Sequence, residues 1–174
     1  LDKTLASARH FPSINWLSSY SEYLDGISAW WKDGTGFDWR GLRALAMEIL
    51  TEQDHLNQIV RLVGPDALPD AQRLILLTSD LLTAGFLQQN ALDEIDTYAS
   101  PQKQIRMLDL ILRFHTKAQS IVKRGAVIQT LQQLPVLHEL LTMKNRISND
   151  DLSRFDQLSL ELDQQLAALE EKYL

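Results

Sequence analysis

Cysteine is absent from this chain of 174 residues. Its absence excludes disulfides, zinc sites built from thiolates and cysteine nucleophiles, and it fits a reducing compartment such as the cytosol without requiring one. No apolar run reaches the roughly eighteen residues that a transmembrane helix needs. The sequence therefore predicts no direct insertion into a membrane.

Positive charge and phosphate-binding loops are scarce as well. The 17 Lys and Arg residues are scattered and stand against 23 Asp and Glu, a net charge of −6, so we expect no nucleic acid partner. A P-loop needs the pattern G-x-x-x-x-G-K-[ST], because backbone N–H groups must surround the phosphates and Lys must neutralise them. None of the 7 glycines precedes a lysine. We therefore assign no catalytic residue in this chain.

Helical periodicity is what the sequence does contain. Apolar residues make up 45% of the chain and recur every three or four positions, as in amphipathic helices. The few Gly and Pro residues mostly lie between these periodic segments, and no stretch alternates as a strand does. We predict an all-α fold, a helical bundle of about six helices. The predicted helices begin near Ile14, Trp39, Pro69, Ser100, Ile128 and Asp151.

Two short segments depart from this pattern. Residues 85–96 (GFLQQNALDEID) place three amide side chains in succession, which suit a hydrogen-bonding site better than a helix interior. Residues 9–16 (RHFPSINW) place Phe11 beside a proline. The residues alone leave two interpretations open. The amides either bind a ligand or satisfy loop carbonyls, and Phe11 either faces a ligand or packs on the following helix.

Together the two segments resemble the C-terminal region of the catalytic A subunit of vacuolar/archaeal-type (V/A-type) rotary ATPases and ATP synthases. The family patterns are R-[HY]-[FY]-P-[AS]-I and F-L-Q-Q-N-A-F-D-E-[VI]-D. Residues 100–108 (SPQKQIRML) fit a third pattern, [SC]-P-x-K-Q-x-x-M-L, which we interpret as packing and helix capping. The resemblance extends over roughly the first 125 residues, and the FLQQNA string favours an A subunit over a B subunit.

The resemblance implies an adenine pocket formed by Phe11, Gln88, Asn90 and Leu92. The aromatic ring of Phe11 would pack on the base. Leu92 stands where the family has Phe, so a stacking contribution would be lost there. The implied domain organisation is the end of a nucleotide-binding domain at 1–13 and a C-terminal helical bundle domain at 14–174.

Residues 56–70 match the family's helix–loop–helix that contacts the central shaft. Leu68 would form an exposed apolar tip between acidic residues, although a plain corner between two helices with Leu68 turned inward is also open. The implied rotor contact comprises Gly64, Pro65, Asp66, Ala67, Leu68, Pro69 and Asp70.

By this resemblance, the domain couples ATP hydrolysis or synthesis to rotation of the central shaft and to H⁺ or Na⁺ transport. ATP or ADP with Mg²⁺ would bind the full-length subunit, whereas this chain alone would be inactive. The implied partners are the B subunits of the head and the central-stalk subunits, in a complex peripheral to the membrane on the cytoplasmic side. Because the chain opens on Leu1 rather than Met, we expect a piece of a longer protein, or else N-terminal processing.

Two alternatives to this function remain. The first is a stand-alone helical protein–protein interaction module without nucleotide. The second is a di-metal bundle oxidase, since Glu52 and His55 form a Glu-x-x-His half-site near Glu48. Such a site needs a second Glu-x-x-His, which the sequence lacks, so we predict no metal. His115 lies on an apolar helix face and is expected to be a core histidine with its hydrogen bond satisfied.

Overall fold

The computed structural model describes residues 1–173 and contains α-helices but no β-strand within that range. The predicted all-α class is confirmed, with eight helices rather than about six. A 3₁₀ turn at Pro65–Ala67 and a π-helical turn at Thr83–Leu87 flank α4. The helices are α1 (Lys3–Ser7), α2 (Leu24–Thr35), α3 (Trp39–Val63), α4 (Asp70–Leu82), α5 (Pro101–Lys123), α6 (Ile128–Gln132), α7 (Val136–Arg146) and α8 (Ser153–Glu170).

Two predicted helices are wrong in extent. The first begins at Leu24 rather than Ile14, since residues 14–23 form turns in which the Asn15 side chain accepts the N–H groups of the second and third residues after it. Such a bond offers the backbone an alternative to a helix. The helix expected from Ile128 to Lys144 is divided into α6 and α7, because Pro135 lacks the N–H that a continuous helix would use.

Helix α5 forms the centre of the bundle. It packs against α4 and α8, with further contacts to α3 and α7. Its start and end follow from local sequence: the Ser100 hydroxyl accepts the Lys103 N–H at 3.2 Å, Pro101 occupies the first position, and Gly125 adopts a positive φ of 102° after the helix. Because α5 has neighbours on several sides, buried side chains occupy most of its circumference.

A glycine sets the approach of α7 to the π-helical turn. A Cβ atom at Gly85 would lie 2.9 Å from the Leu140 carbonyl oxygen, closer than real Cβ contacts allow. Gly85 thus lets the turn pack directly on the backbone of α7. The segment that follows the turn, residues 88–100, is thereby placed beside the C-terminal end of α7.

Candidate functional site

The two unusual segments of the sequence meet in the structure. The Gln89 N–H donates to the Phe11 carbonyl at 2.7 Å. The side-chain amide of Gln88 donates more weakly, at 3.4 Å, to the carbonyl of Arg9, 79 residues earlier in the chain. We call this meeting of residues 9–11 with residues 88–89 the junction.

Phe11 lies on the outside of the junction, and its neighbour His10 lies inside. The relative exposure of Phe11 is 52%, whereas that of His10 is 6%. The His10 ring meets the Trp16 ring edge-on, with centroids 5.3 Å apart. Burial, together with the nearby positive charge of Lys144, lowers the pKa of His10 below its ordinary value. The segment is therefore anchored by His10 and Trp16, and the Phe11 ring is left half exposed.

Asn90 and Leu92 lie on the turn that follows the junction. The Asn90 side-chain oxygen accepts the Leu92 N–H at 3.0 Å, so this amide closes a local turn. The Asn90 N–H donates to the Asp96 carboxylate at 2.7 Å. Leu92 is 95% exposed. The structure brings Phe11 and Gln88 to one junction and places the other two predicted pocket residues on the adjacent turn.

Two lysines that were not predicted as site residues donate hydrogen bonds to the backbone of residues 88–95. The Lys144 ammonium donates to the Gln88 carbonyl at 2.5 Å. The Lys103 ammonium donates to the Ile95 carbonyl at 3.3 Å and to the Lys144 carbonyl at 2.7 Å. Lys103 is fully buried and Lys144 is 9% exposed. Our interpretation of residues 100–108 as packing and capping identified the Ser100 cap and missed the buried lysine.

Two aspartates balance the lysines. Asp96 is buried, and its carboxylate lies 3.9 Å from the Lys144 ammonium. The Asp93 carboxylate accepts two backbone N–H groups and the side-chain amide of Asn145, and these hydrogen bonds lower the pKa of Asp93. Burial lowers the pKa of both lysines, and the two aspartates partly oppose that effect by favouring the charged ammonium groups.

The lysines could have been found from helical spacing. Lys103 lies on the same stripe of α5 as Met107, Leu110 and Phe114, and Lys144 lies one turn after Leu140 on the buried side of α7. A lysine on an apolar stripe is buried when carbonyl or carboxylate partners meet it. Helical spacing therefore indicated that both lysines are buried, but the carbonyl groups that they bind belong to segments distant in the sequence.

The turn between α3 and α4 differs from the prediction at Leu68. Leu68 is 7% exposed, so its assignment as an exposed tip is wrong and the inward-turned corner is the structure found. Burial of a leucine side chain is favoured by about 1.5–3 kcal/mol. Asp70 also turns inward and accepts the Ile128 N–H at 3.0 Å. Within the turn, Pro65, Asp66, Ala67 and Pro69 are exposed, as are the apolar side chains of Leu62 and Val63 before it.

Comparison with known proteins decides the family. A family model described as the C-terminal domain of V and A type ATP synthase matches residues 28–132, more than half of the chain. The chain belongs to this family. The V-type ATP synthase alpha chain of Halothermothrix orenii is 46% identical over 173 residues, and the A-type ATP synthase A subunit of Methanopyrus kandleri is 44% identical over 172. The corresponding A subunit of Methanosphaera stadtmanae is 53% identical over 144 residues.

The matches cover nearly all of this chain but a small part of each relative. They span 99%, 99% and 83% of the chain and 29%, 29% and 25% of the respective relatives. This chain thus spans less than a third of the length of these relatives. The predicted resemblance is confirmed, and a stand-alone interaction module is not favoured.

The acidic face of α3 borders a groove in this V/A-type domain. Glu48, Glu52 and His55 line a groove of about 900 Å³ together with His115. Among residues 1–173, no three His, Cys, Asp or Glu residues are grouped to hold a metal ion. His115 is buried, with its Nδ1 atom 2.8 Å from the Thr78 hydroxyl, which confirms it as a satisfied core histidine. No helix within the same residues is long and apolar enough to cross a bilayer.

Proposed function

We propose that this chain is the C-terminal domain of a catalytic A subunit that completes the adenine side of a nucleotide site. The observation that carries the proposal is the junction, where the backbone carbonyl of half-exposed Phe11 accepts the N–H of Gln89 in the amide-rich segment. A flat ring provides apolar contact to a base without selecting a particular base edge. The side-chain amide of Gln88 reaches the Arg9 carbonyl of the same junction, and the Gln88 backbone carbonyl accepts a hydrogen bond from Lys144.

Phosphate binding and phosphoryl transfer lie outside this chain in our proposal. The sequence contains no P-loop, and phosphoryl transfer depends on such positioning. ATP or ADP with Mg²⁺ would therefore bind the full-length subunit, and this chain would supply contacts to the base alone. Asn90 and Leu92 would contribute the outer part of the base pocket from the turn next to the junction.

The second part of the proposal concerns the shaft. Helix α3 has 25 residues and is about 37 Å long at 1.5 Å per residue. It ends in exposed Leu62 and Val63, followed by the turn 64–70 with exposed Asp66. Apolar side chains beside an acidic residue at the end of a rigid helix form a surface suited to contact with another protein. We propose that this end meets the central-stalk subunits and that α3 and α4 act as the arm.

In the assembled machine, the domain would couple ATP hydrolysis or synthesis to rotation and to transport of H⁺ or Na⁺. Its partners would be the B subunits of the head and the central stalk, peripheral to the membrane on its cytoplasmic side. The isolated chain should not hydrolyse ATP, because the phosphate-binding residues are elsewhere. ATP turnover by the isolated chain would contradict this assignment.

Replacement of Phe11 tests the base contact. In the head complex formed by the full-length protein and its B subunits, Phe11→Ala should raise KM for ATP by about tenfold and change kcat by less than about twofold. The reason is that stacking of a base on an aromatic side chain is worth about 1–3 kcal/mol. Ile14→Ala is the matched control, since Ile14 is an apolar side chain of similar exposure, 53%, in the same segment. Equal KM values in both variants would overturn the adenine assignment.

A further inference from the structure

The segment between the π-helical turn and α5, residues 88–100, obtains much of its backbone hydrogen bonding from side chains. Four of its backbone carbonyls accept hydrogen bonds from side chains. Lys144 donates to Gln88 and Lys103 donates to Ile95. Asn149 donates to Tyr98 and Gln104 donates to Ala99. Irregular backbone that is partly buried needs such partners, because an unpaired carbonyl costs free energy. The position of this segment is therefore set by the residues that donate to it.

The two lysine donors belong to different helices, and one of them bonds to the helix of the other. Lys103 lies in the first turn of α5, and Lys144 lies in the last turn of α7. The Lys103 ammonium donates to the Lys144 carbonyl, one of the four that a helix leaves unpaired at its C-terminal end. A positive charge is also favoured at that end by the helix dipole. Lys103 thereby fixes the end of α7 from which Lys144 reaches Gln88.

We propose that Lys144, held in place by Lys103, is a positioning residue for the nucleotide base. It fixes the Gln88 carbonyl and so keeps the amide segment against residues 9–11. This inference rests on the proposed function, because the junction is taken to face adenine. Lys144 itself does not touch the base; it acts through Gln88.

Charge pairing explains why a lysine suits this position. The Asp96 carboxylate lies 3.9 Å from the Lys144 ammonium and accepts the Asn90 N–H at 2.7 Å. One buried aspartate thus connects Lys144 to the turn that carries Asn90. A neutral side chain at position 144 would leave the Gln88 carbonyl without this donor and would remove a positive charge near a buried carboxylate.

The contact at Gly85 makes the link to α7 specific. Helix α7 meets the segment twice, at Gly85 against the Leu140 carbonyl and at Gln88 through Lys144. These contacts lie one turn apart on α7 and three residues apart along the opposing chain. Two contacts fix both the distance and the direction of the segment relative to the helix. The Lys144 bond is the one that reaches the junction itself.

The test uses the head complex formed by the full-length protein and its B subunits. Lys144→Met should raise KM for ATP by at least about fivefold, with kcat changed by less than about twofold. It should also speed amide hydrogen exchange at Asn90 and Leu92 by more than about tenfold. Lys117→Met is the matched control, because Lys117 is a lysine of α5 that pairs with Asp163 of α8 at 2.8 Å, away from the junction. The control should change neither quantity.

The results separate this inference from the proposed function. If Phe11→Ala raises KM and Lys144→Met does not, the positioning role of Lys144 is overturned and the adenine assignment remains. Faster exchange in Lys144→Met with an unchanged KM also overturns it, since that result describes a purely structural lysine. If neither variant changes KM, the adenine assignment itself fails.

A second variant keeps the test decisive should Lys144→Met not assemble. Asp96→Asn keeps the shape of the side chain and an oxygen acceptor for the Asn90 N–H, and removes the charge that faces Lys144. It should raise KM for ATP by about two- to threefold and speed exchange at Asn90. An assembled Asp96→Asn protein with the KM of the parent would overturn the proposal.

Discussion

Helices α2 and α5 are both amphipathic, but α5 is largely buried in the bundle and α2 lies at the surface. Eleven residues of α5 are buried, including Phe114 and Ile111 at 0% exposure. No residue of Leu24–Thr35 is buried, and Trp30 within it is 58% exposed. The difference shows that the spacing of apolar residues predicts a helix without predicting what covers its apolar face. Stability should therefore be concentrated in the bundle around α5.

Like α2, the first 37 residues as a whole expose many apolar side chains. They contain a large part of the exposed apolar surface of the described chain, which is typical of surfaces that contact other proteins. Residues of this kind should add little to the free energy of unfolding. The exposed large apolar side chains here are Leu1, Phe11, Ile14, Leu17, Tyr20, Tyr23, Ile27 and Trp30.

The largest expected effect comes from a pair of aromatic truncations, one in each region. Phe114→Ala should lower the free energy of unfolding by about 3–5 kcal/mol, because it leaves a cavity at a fully buried site. Tyr20→Ala, at an 85% exposed site, should change it by no more than about 0.5 kcal/mol. Denaturant unfolding followed by circular dichroism measures both. Similar losses would show that the first 37 residues belong to the same cooperative unit as α5.

Two glycines provide a second comparison of the same regions. Gly85→Ala would place a Cβ atom 2.9 Å from the Leu140 carbonyl oxygen, a backbone atom that cannot move unless α7 moves. We expect a loss of about 1–3 kcal/mol in the free energy of unfolding, as for other overpacked sites. Gly26→Ala in α2 meets nothing within 4 Å and should stabilise that helix by about 0.5–1 kcal/mol.

Thermal unfolding of Gly85→Ala and Gly26→Ala tests whether α7 lies as close to Gly85 as the structure shows. A lower midpoint for Gly85→Ala beside an unchanged or higher midpoint for Gly26→Ala would confirm the close approach of α7. Parent-like stability of Gly85→Ala would show that the π-helical turn can shift away from α7 at little cost. In that case the position of the junction would depend on Lys144 more than on Gly85.

The parts of the fold that follow from local chemistry could be predicted from the sequence. The start of α5 at Ser100 and Pro101, and its end before Gly125, depend on a side-chain cap, a missing N–H and a positive φ, which are properties of those residues themselves. The end of α3 at Gly64 and Pro65 has the same origin. By contrast, the turns after Ile14 were missed, because side-chain bonds to the backbone overrode an apolar spacing that suits a helix.

The candidate site could be predicted only in part. Residues 9–11 and 88–89 meet in the structure, and the adenine pocket that the resemblance implied there stays a prediction. The inward orientation of Leu68 depends on how the corner packs and is not contained in the spacing of its neighbours. Lys103 and the Lys144 carbonyl that it binds are 41 residues apart. Pairing over that separation requires the tertiary fold, so helical spacing indicated a buried position for each lysine but not its partner.

The smallest expected effect is on pH dependence and concerns His115 in the bundle. Burial lowers the pKa of His115 below the ordinary value of 6.5. As pH falls below 6.5, the unfolded chain takes up a proton that the folded protein does not bind, so the free energy of unfolding falls with pH down to the lowered pKa. His115→Gln cannot take up that proton. Its stability should therefore vary less than that of the parent between about pH 7.5 and about pH 5.5, a range above the ordinary carboxylate pKa values.

His55→Gln is the control for this measurement, because His55 is an exposed histidine on α3. The free energies of unfolding of the parent and both variants, measured across the same pH range, give the slopes to compare. A reduced slope in His115→Gln alone would place the histidine contribution in the bundle around α5. Equal slopes in all three proteins would show that the acid sensitivity arises elsewhere. His10, buried beside the junction with its pKa lowered in the same direction, is the next histidine to replace, and its effect would then connect the first 37 residues to the stability of the bundle.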